Sequence, residues 1–467
     1  MKKHAWRILT LVLTLSLLMG AALAEAGAEM EIDWDARYPY AELEGQLEAI
    51  AAAYPEIAQL YPIGTSFQER KLWCMELTNP EVPEEDKTGI AVLANIHGGE
   101  RESAASAMYF AWWMATESDT EQIQEILNNY TVYVVPVINP DGYEQSFVYN
   151  TRQNLRPRDL NGDGTPFSDP YTDIDGDGYI ATLYRGTADA QPDCNAQSAF
   201  GMESPDWDAN GILGDDPRNS GIDMNRTFDY QWNRFDVDAV ETGVIGTNAW
   251  SRAGSAPASE PEVQAVQKFL LNNEIDALAT LHTGIQCVLY PWCYRAYDES
   301  VDSEEIPFMK EVAAKMAAAF QETTGRGFYS MSSYEDYPTN AELIDYAYGR
   351  LNIHAYTIEV YCGGKSADGD IAACKWENTL PEEKWVFYDQ DQLAELGLDV
   401  ALLVDNAGEG LKEGEGLWFY TSATAQMVDR APEDQSTMVQ GCKDALLVMI
   451  DSEPSGAGYT KAEYLNW

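Results

Sequence analysis

A histidine and a glutamate stand three residues apart in this sequence, directly after a largely apolar run. His97 and Glu100 are separated by two glycines and follow residues 91–96. Imidazole nitrogen and carboxylate oxygen both bind zinc, at about 2.0–2.2 Å. Because such a pair also suits an ordinary surface turn, a zinc site needs further ligands elsewhere in the chain.

The small number of histidines narrows the choice of a third ligand. The chain has four, of which His4 lies in a predicted export signal. His97, His282 and His354 remain. If the third ligand is imidazole, it is therefore His282, which ends the predicted strand 277–282, or His354.

Glu359 is an isolated carboxylate in the otherwise apolar segment 357–361. Such a group is costly to bury unless a cation or another partner compensates its charge, so we interpret it as a site residue. His354 and Glu359 are an odd number of residues apart and would face opposite sides of one strand. We therefore expect His354 to be a packed or surface residue and not a ligand.

Strands and helices alternate along the chain and must position these side chains. The spacing of apolar residues predicts strands at 57–63, 71–77, 89–96, 131–138, 277–282 and 354–361. It predicts helices at 40–54, 102–114, 261–273, 306–323, 343–351 and 393–406. This alternation is typical of an α/β sheet covered by helices.

Composition limits the classes of partner. The formal net charge is −48 and 45% of residues are hydrophobic, so the chain is globular, with a surface that repels nucleic acid and anionic membranes. Residues 1–24 have the basic, apolar and small-residue regions of a secretory signal, which predicts a secreted protein with no membrane association after cleavage. We expect a monomer with a main domain at 25–407 and an acidic C-terminal extension, packed or partly disordered, at 408–467.

Residues 157–222 form an insertion rich in Asp, Gly, Asn and Pro that is too long for an ordinary connection. Two segments place oxygen-bearing side chains at alternate positions before a glycine, as in loops that bind calcium. Their candidate ligands are Asp159, Asn161, Asp163, Asp173, Asp175 and Asp177. Solvated acidic turns are the alternative interpretation.

Taken together, the motifs resemble the M14 family of zinc carboxypeptidases over about residues 38–406. They comprise His97-Gly-Gly-Glu100, Asn139-Pro-Asp-Gly142, Asp223-Met-Asn-Arg226, Ser259-Glu-Pro-Glu262, His282 and the block from Tyr337 to Glu359. They occur in the family's order, with Tyr337 lying 22 residues before Glu359. The resemblance implies a mixed α/β fold with a mostly eight-stranded twisted sheet and helices on both faces.

The resemblance also implies roles for the matching residues. His97, Glu100 and His282 would hold one zinc ion that activates a water molecule, and Asp223 would orient a ligand imidazole. Glu359 would be the general base. Asn225 and Arg226 would bind the carboxylate of the substrate's C-terminal residue. Tyr337 would close over the substrate, and Ile344 would lie at the base of the pocket for the terminal side chain.

Two features depart from the family pattern or leave alternatives open. For the arginine that stabilises the oxyanion we choose Arg156, with Arg152 or Arg158 as alternatives, because the spacing differs by a residue from the usual one. Ile344 at the base of the side-chain pocket suggests an apolar or aromatic preference, which the nearby acids Asp336 and Glu342 could reverse.

The implied function is that of a secreted metallocarboxypeptidase acting on the C-termini of peptides or proteins. A muropeptide peptidase of the same fold is the alternative, and a catalytically silent peptide- or calcium-binding protein is less favoured because every expected site residue is present. Seven cysteines leave disulfide pairing open. Cys287 could bridge Cys293, and Cys362 could bridge Cys374, or the thiols could be free.

Overall fold

A computed structural model describes residues 32–149, 151–193, 199–218, 220–232, 253–303, 305–361, 384–421 and 435–453. The predicted signal at residues 1–24 lies outside this range, as do Cys362 and Cys374. Cys287 and Cys293 are both buried free thiols, so the structure does not form the first suggested bridge. No helix in the described ranges is long and apolar enough to cross a membrane.

Ten α-helices and twelve strands are defined in these ranges. The helices are α1 Tyr40–Ala53, α2 Arg101–Thr116, α3 Glu121–Asn129, α4 Pro140–Gln145, α5 Pro261–Asn272, α6 Glu305–Thr324, α7 Ser333–Asp336, α8 Leu343–Leu351, α9 Gln390–Glu395 and α10 Gln435–Ser452. The strands are β1 Ala58–Thr65, β2 Lys71–Leu77, β3 Thr88–Ala94, β4 Tyr130–Val135, β5 Thr182–Gly186, β6 Ala199–Met202, β7 Ile275–His282, β8 Cys287–Tyr290, β9 Tyr329–Ser332, β10 His354–Glu359, β11 Lys384–Tyr388 and β12 Gly416–Thr421.

Eight strands form the main sheet in the order β1-β2-β4-β3-β7-β10-β8-β9. The central pairs β4–β3, β3–β7 and β7–β10 are parallel, while β1–β2, β2–β4 and β10–β8 are antiparallel. The predicted eight-stranded mixed sheet is thus confirmed.

The centre of the sheet is buried on both sides. Every residue of β3 and of β4 is buried, which for a strand with alternating side chains requires cover on both faces. Helices α6 and α10 pack on each other, α10 also packs on α2, and α5 and α8 pack on strands β1 and β10. The apolar strands therefore provide a rigid base for the residues that follow them.

A second sheet joins the insertion to the C-terminal part of the chain. Strands β5 and β6 come from the insertion, and they continue an antiparallel sheet in the order β11-β12-β5-β6. Leu183, Phe200, Leu417 and Phe419 are among the residues of its own small core. The domain boundary predicted at residue 407 remains a prediction, but the described parts of 408–467 pack on the rest of the chain.

The predicted helix at residues 393–406 is wrong. Only α9 is helical there, and Gly397 has a φ of +93°, a left-handed conformation that ends helices. Leu398 and Leu403 then turn back into the small core of the second sheet. The last long helix is instead α10, which packs against α6.

Candidate active site

Three parallel strands end side by side at one edge of the main sheet. The register pairs Glu359 of β10 with His282 of β7, and Leu281 of β7 with Ala94 of β3. His97 follows β3 after only two further residues. Because the carboxyl ends of parallel strands meet at one edge, residues distant in sequence gather there.

His97, Glu100 and His282 present a compact set of donor atoms. His97 Nδ1 lies 2.8 Å from Glu100 Oε1, and His282 Nδ1 lies 3.2 Å from His97 Nδ1 and 3.1 Å from Glu100 Oε2. Tetrahedral bonds of zinc to such donors place neighbouring donor atoms roughly 3.3–3.6 Å apart. Two imidazoles and one carboxylate thus fit a catalytic zinc with a fourth position left for solvent or substrate.

The other nitrogen of each imidazole contacts a side chain that fixes the ring. His97 Nε2 lies 3.2 Å from Asp223 Oδ1, and His282 Nε2 lies 3.3 Å from Thr280 Oγ1. An acceptor at this nitrogen selects the tautomer in which Nδ1 can bind a metal. The structure places Asp223 where it can orient His97.

Two asparagines and two glycines shape the loop that carries the first two ligands. Asn95 has a φ of +54° and donates its amide to the carbonyls of His97 and Glu100, at 3.1 and 2.9 Å. Asn139 donates to the carbonyl of Ile96 at 3.1 Å. A Cβ on Gly98 would lie 2.2 Å from the carbonyl carbon of Gly142, so both positions of this close approach exclude side chains.

The charges of the ligand set depend on one another. Burial alone would raise the pKa of Glu100, but the imidazoles of His97 and His282 hold it well below its usual value. Burial would likewise raise the pKa of Asp223, but Arg152 and His97 keep it low. Both carboxylates are therefore ionised, which is the form in which a carboxylate binds a metal ion.

Glu359 is the partly buried carboxylate next to this set. Its Oε2 atom has no hydrogen-bond partner in the described part of the chain and lies 3.3 Å from the position of a Cβ on Gly284. Burial raises the pKa of Glu359, in the opposite direction from that of Glu100. Two carboxylates at one site thus differ in basicity, and Glu359 is the one suited to accept a proton.

The structure does not bring Arg156 to the donor set. Its Nε lies 2.9 Å from Glu260 Oε2, its Nη2 donates to the carbonyl of Ser259 at 2.9 Å, and its guanidinium lies over the ring of Phe67. Glu260 is fully buried, so it needs this positive partner. These contacts hold Arg156 away from the donor set. The prediction that Arg156 stabilises the oxyanion is therefore corrected.

Arg152 is the one of the three arginines that contacts a residue of the donor set. Its Nε lies 2.6 Å from Asp223 Oδ2 and its Nη1 3.8 Å from Glu100 Oε1. Its neighbour Asn154 is fixed by a hydrogen bond from the Ile222 amide at 2.9 Å, so the segment runs alongside the residues preceding Asp223. The third candidate, Arg158, donates to the carbonyl of Ser220 at 3.0 Å.

Asn225, Arg226 and Tyr337 lie together on the same side of the site. Asn225 Oδ1 accepts from the amide of Leu343 at 2.9 Å, which leaves its NH₂ group to donate elsewhere. Arg226 Nη2 lies 3.3 Å from the Tyr337 hydroxyl, and the Tyr337 side chain is partly exposed. This cluster of donors suits a carboxylate ligand.

Glu342 also belongs to this cluster, although the sequence indicates only that it is an acid near Ile344. Its Oε1 accepts from Arg226 Nη1 at 2.7 Å and from Thr339 Oγ1 at 2.5 Å. Ile344, two residues later, is buried at the start of α8. His354 lies at the other end of β10 and contacts Glu453 at 2.9 Å, so its interpretation as a packed residue is confirmed.

The family model described as "Zinc carboxypeptidase", for the M14 peptidases, matches residues 43–384 of this chain. The chain belongs to the zinc carboxypeptidase family. Zinc is the cofactor of this family, and the two imidazoles and carboxylate of the donor set fit it.

Relatives of this family member are distant in sequence. It is 24% identical to zinc carboxypeptidase A 1 of Drosophila melanogaster over 327 residues, which cover 69% of the chain and 60% of that protein. It is 24% identical to carboxypeptidase B of Astacus astacus over 332 residues, which cover 70% of the chain and 88% of that protein. The match therefore spans less than two thirds of the Drosophila protein.

Among solved structures, one similar fold is that of bovine thrombin-activatable fibrinolysis inhibitor in complex with tick carboxypeptidase inhibitor. The TM-score is 0.52 at 15% identity, with 90% of this chain and 97% of that chain covered. At this identity the likeness concerns the fold alone. It agrees with the mixed eight-stranded sheet described above.

Proposed function

We propose that this protein is a secreted carboxypeptidase that removes the last residue from peptides with a free C-terminus. One observation carries the proposal. The short 3₁₀ turn Met224–Arg226 follows Asp223, which contacts the ligand His97, and it ends in Arg226, which lies beside Tyr337. A single turn thus couples the metal-binding set to an anion site, as hydrolysis next to a terminal carboxylate requires.

His97, Glu100 and His282 would hold the zinc ion, which when bound supplies a Lewis acid for the carbonyl and makes a water molecule more acidic. Arg226 and the free NH₂ group of Asn225 would bind the terminal carboxylate of the substrate. They fix which peptide bond lies at the donor set.

Glu359 and Arg152 would carry the proton and the developing charge. Glu359, with an unpaired Oε2 and a raised pKa, takes the proton of the attacking water and passes it to the leaving amine. Arg152, anchored on Asp223, stabilises the negative oxygen that develops on the scissile carbonyl. Tyr337, partly exposed, covers the bound residue.

The proposed preference is for apolar or aromatic C-terminal residues. Ile344 supplies an apolar wall at the pocket position. Glu342 is already bound to Arg226 and Thr339, so it is not a separate anion that would select lysine or arginine. Glu342 would thus position the guanidinium of Arg226 and would not contact the C-terminal side chain of the substrate.

Residues 1–24 are proposed to be a cleaved signal, which makes the protein extracellular. N-terminal sequencing of exported protein tests this idea, and the expected start of the chain is the residue after Ala24. A mature N-terminus still carrying Met1 would contradict it.

The activity is tested with paired peptides that differ only in a free or amidated C-terminus, followed by mass spectrometry. Single-residue loss from the free acids alone is expected, because an amide cannot pair with Arg226 as a carboxylate does. Glu359→Gln should retain zinc and lose turnover, which separates catalysis from binding. Equal cleavage of amidated peptides, or cleavage of an added muropeptide alone, would overturn the proposal.

A further inference from the structure

Three loops of the insertion share one pattern, of which the sequence motifs above contain only two. Loop A is residues 159–164, loop B is residues 173–178, and loop C is residues 206–211, with the sequence Asp-Trp-Asp-Ala-Asn-Gly. In each loop the fourth and sixth residues have positive φ, for example +84° and +89° at Gly162 and Gly164 and +58° and +88° at Ala209 and Gly211. Loop C therefore shares these two left-handed positions although its fourth residue is alanine, and it differs in that its first residue, Asp206, also has a positive φ, of +53°.

Each of loops A and C is contacted by an aspartate that follows the other loop in sequence. Asp169, which stands ten positions after the first residue of loop A, reaches loop C and accepts from the amides of Trp207 at 2.7 Å and Gly214 at 3.0 Å. Asp216, ten positions after the first residue of loop C, lies against loop A, where the amides of Leu160 and Phe167 favour its charged form. The amide of Asp169 also donates to the carbonyl of Asp216 at 3.2 Å.

The two loops are thus related as a pair. Leu160 and Trp207 each follow the first aspartate of their loop by one residue, and Phe167 and Gly214 follow it by eight. In both loops the carboxylate that comes from the other loop lies against the amides at these two equivalent positions. Each loop is closed by an acid that belongs to the other.

Asp216 is the anomaly that points to a ligand. Its side chain is fully buried, and in the described part of the chain neither carboxylate oxygen has a partner at hydrogen-bond geometry, although the amides of Leu160 and Phe167 lie near enough to oppose the rise in its pKa. Arg158 is close enough for the charge of Asp216 to raise its pKa against the effect of burial, and its Nη1 donates to the carbonyls of Ser220 and Gly221, at 3.0 and 3.4 Å. A buried carboxylate of this kind is costly unless a cation completes its environment.

Loop C shows the same excess of negative charge. Carboxylate oxygens of Asp169, Asp206 and Asp208 lie within 4.8 Å of one another. No lysine or arginine among the described residues forms an ion pair with any of the three. Burial raises the pKa of Asp169 to about 6, against the opposing effect of the amides of Gly214 and Trp207.

We propose that loops A and C bind two calcium ions, each held by its own loop and by the carboxylate that the other loop supplies. The first site would use Asp159, Asn161, Asp163 and Asp216, and the second Asp206, Asp208, Asn210 and Asp169. Calcium takes six to eight oxygen ligands in flexible geometry, and these loops offer mainly carboxylate and amide oxygens. Because each site needs both loops, calcium would fasten residues 159–169 to residues 206–216.

Loop B has a cation of its own and is not part of this proposal. Lys384 Nζ lies 2.5 Å from Asp177 Oδ2, and the Tyr388 hydroxyl donates to Asp175 at 2.9 Å. The acid that closes loop B, Glu203, accepts from the amides of Ile174 and Ala181, as Asp169 does from the equivalent amides of loop C. The structure thus gives loop B a lysine where loops A and C lack one.

The test measures calcium binding to the zinc-loaded full chain by equilibrium dialysis with radioactive calcium. Two sites are expected, with dissociation constants on the order of 10⁻⁴–10⁻³ M, as in extracellular modules. Asp216→Asn and Asp169→Asn should each lose at least one site. The control Asp391→Asn removes the same charge from the exposed face of α9 and should keep both.

Thermal unfolding separates a calcium site from a merely structural carboxylate. Without calcium, Asp216→Asn should leave the Tm unchanged or raise it, because it removes an unpaired buried charge. With 10 mM calcium the wild type should gain a few degrees and the variant much less, since a ligand stabilises only the state that binds it. Absence of calcium binding to the wild type, or binding that both variants leave unchanged, would overturn the proposal.

Discussion

Replacing Arg152 by methionine removes the guanidinium next to the zinc ligands and keeps most of the apolar stem. Its Nη1 lies 3.8 Å from Glu100 and its Nε 2.6 Å from Asp223. Loss of one donor to a developing oxyanion lowers kcat about 10²–10³-fold. Asp223 keeps its contacts with His97 and with the amide of Asn225, so zinc affinity should fall by no more than about tenfold.

The matched variant, Arg156→Met, should act on stability instead. It leaves Glu260 fully buried with the Ser259 hydroxyl and the Asn154 amide as its remaining donors, at 2.6 and 2.7 Å. Breaking a fully buried ion pair costs about 3–5 kcal/mol. Because the Arg156 side chain is 31% exposed, water screens the pair, and we expect a loss of about 2–3 kcal/mol in the free energy of unfolding.

Both variants are compared in one set of assays. These are kcat and KM on a peptide with a free C-terminus, bound zinc by metal analysis, and unfolding by denaturant. A loss of kcat confined to the Arg152 variant and a loss of stability confined to the Arg156 variant are expected. If the Arg156 variant loses kcat a hundredfold while the Arg152 variant turns over normally, our reading of the two guanidinium positions is refuted.

Three further changes have definite expected outcomes. Glu342→Gln should lower KM severalfold with kcat nearly unchanged, because it removes the anion that competes with the substrate for Arg226; an increase in KM in steady-state kinetics would contradict this. Gly98→Ala should lower zinc affinity about tenfold or more in chelator competition, because its Cβ would lie 2.2 Å from the neighbouring turn; unchanged affinity would show that the loop adapts. Burial opposes protonation of His354, but Glu453 raises its pKa, so their pair stabilises the fold below about pH 6.5 and is lost as pH rises through the raised pKa. Thermal melts of Glu453→Gln should therefore show its largest deficit at acidic pH, and a deficit independent of pH would argue against a charged pair.

Several features of the site could be predicted from the sequence. His97, Glu100, His282 and Glu359 stand at the ends of apolar runs, and parallel strands bring such ends to one edge whatever the details of packing. Alternation along a strand sufficed to set His354 apart. The order of the motifs added the family and with it the mixed sheet.

Other features were settled only by the tertiary structure. Arg152, Arg156 and Arg158 lie within seven positions of one irregular segment, where no periodicity indicates which way a side chain points. Their partners, which include Asp223 and Glu260, come from segments more than 60 residues away. Only the folded chain therefore decides which of the three reaches the site.

The same reason explains the pairing of loops A and C and the end of α9. Each loop shows its own oxygens in sequence, but the closing carboxylates Asp169 and Asp216 are recognisable only when the loops face each other. Residues 393–406 have the apolar content of a helix. Leu398 and Leu403 nevertheless lie outside a helix and are buried in the small core of the second sheet. Local patterns determine which elements and ligands exist, because they depend on nearest neighbours along the chain. Contacts between distant segments determine which charged groups meet, because burial leaves each buried carboxylate in need of a particular partner.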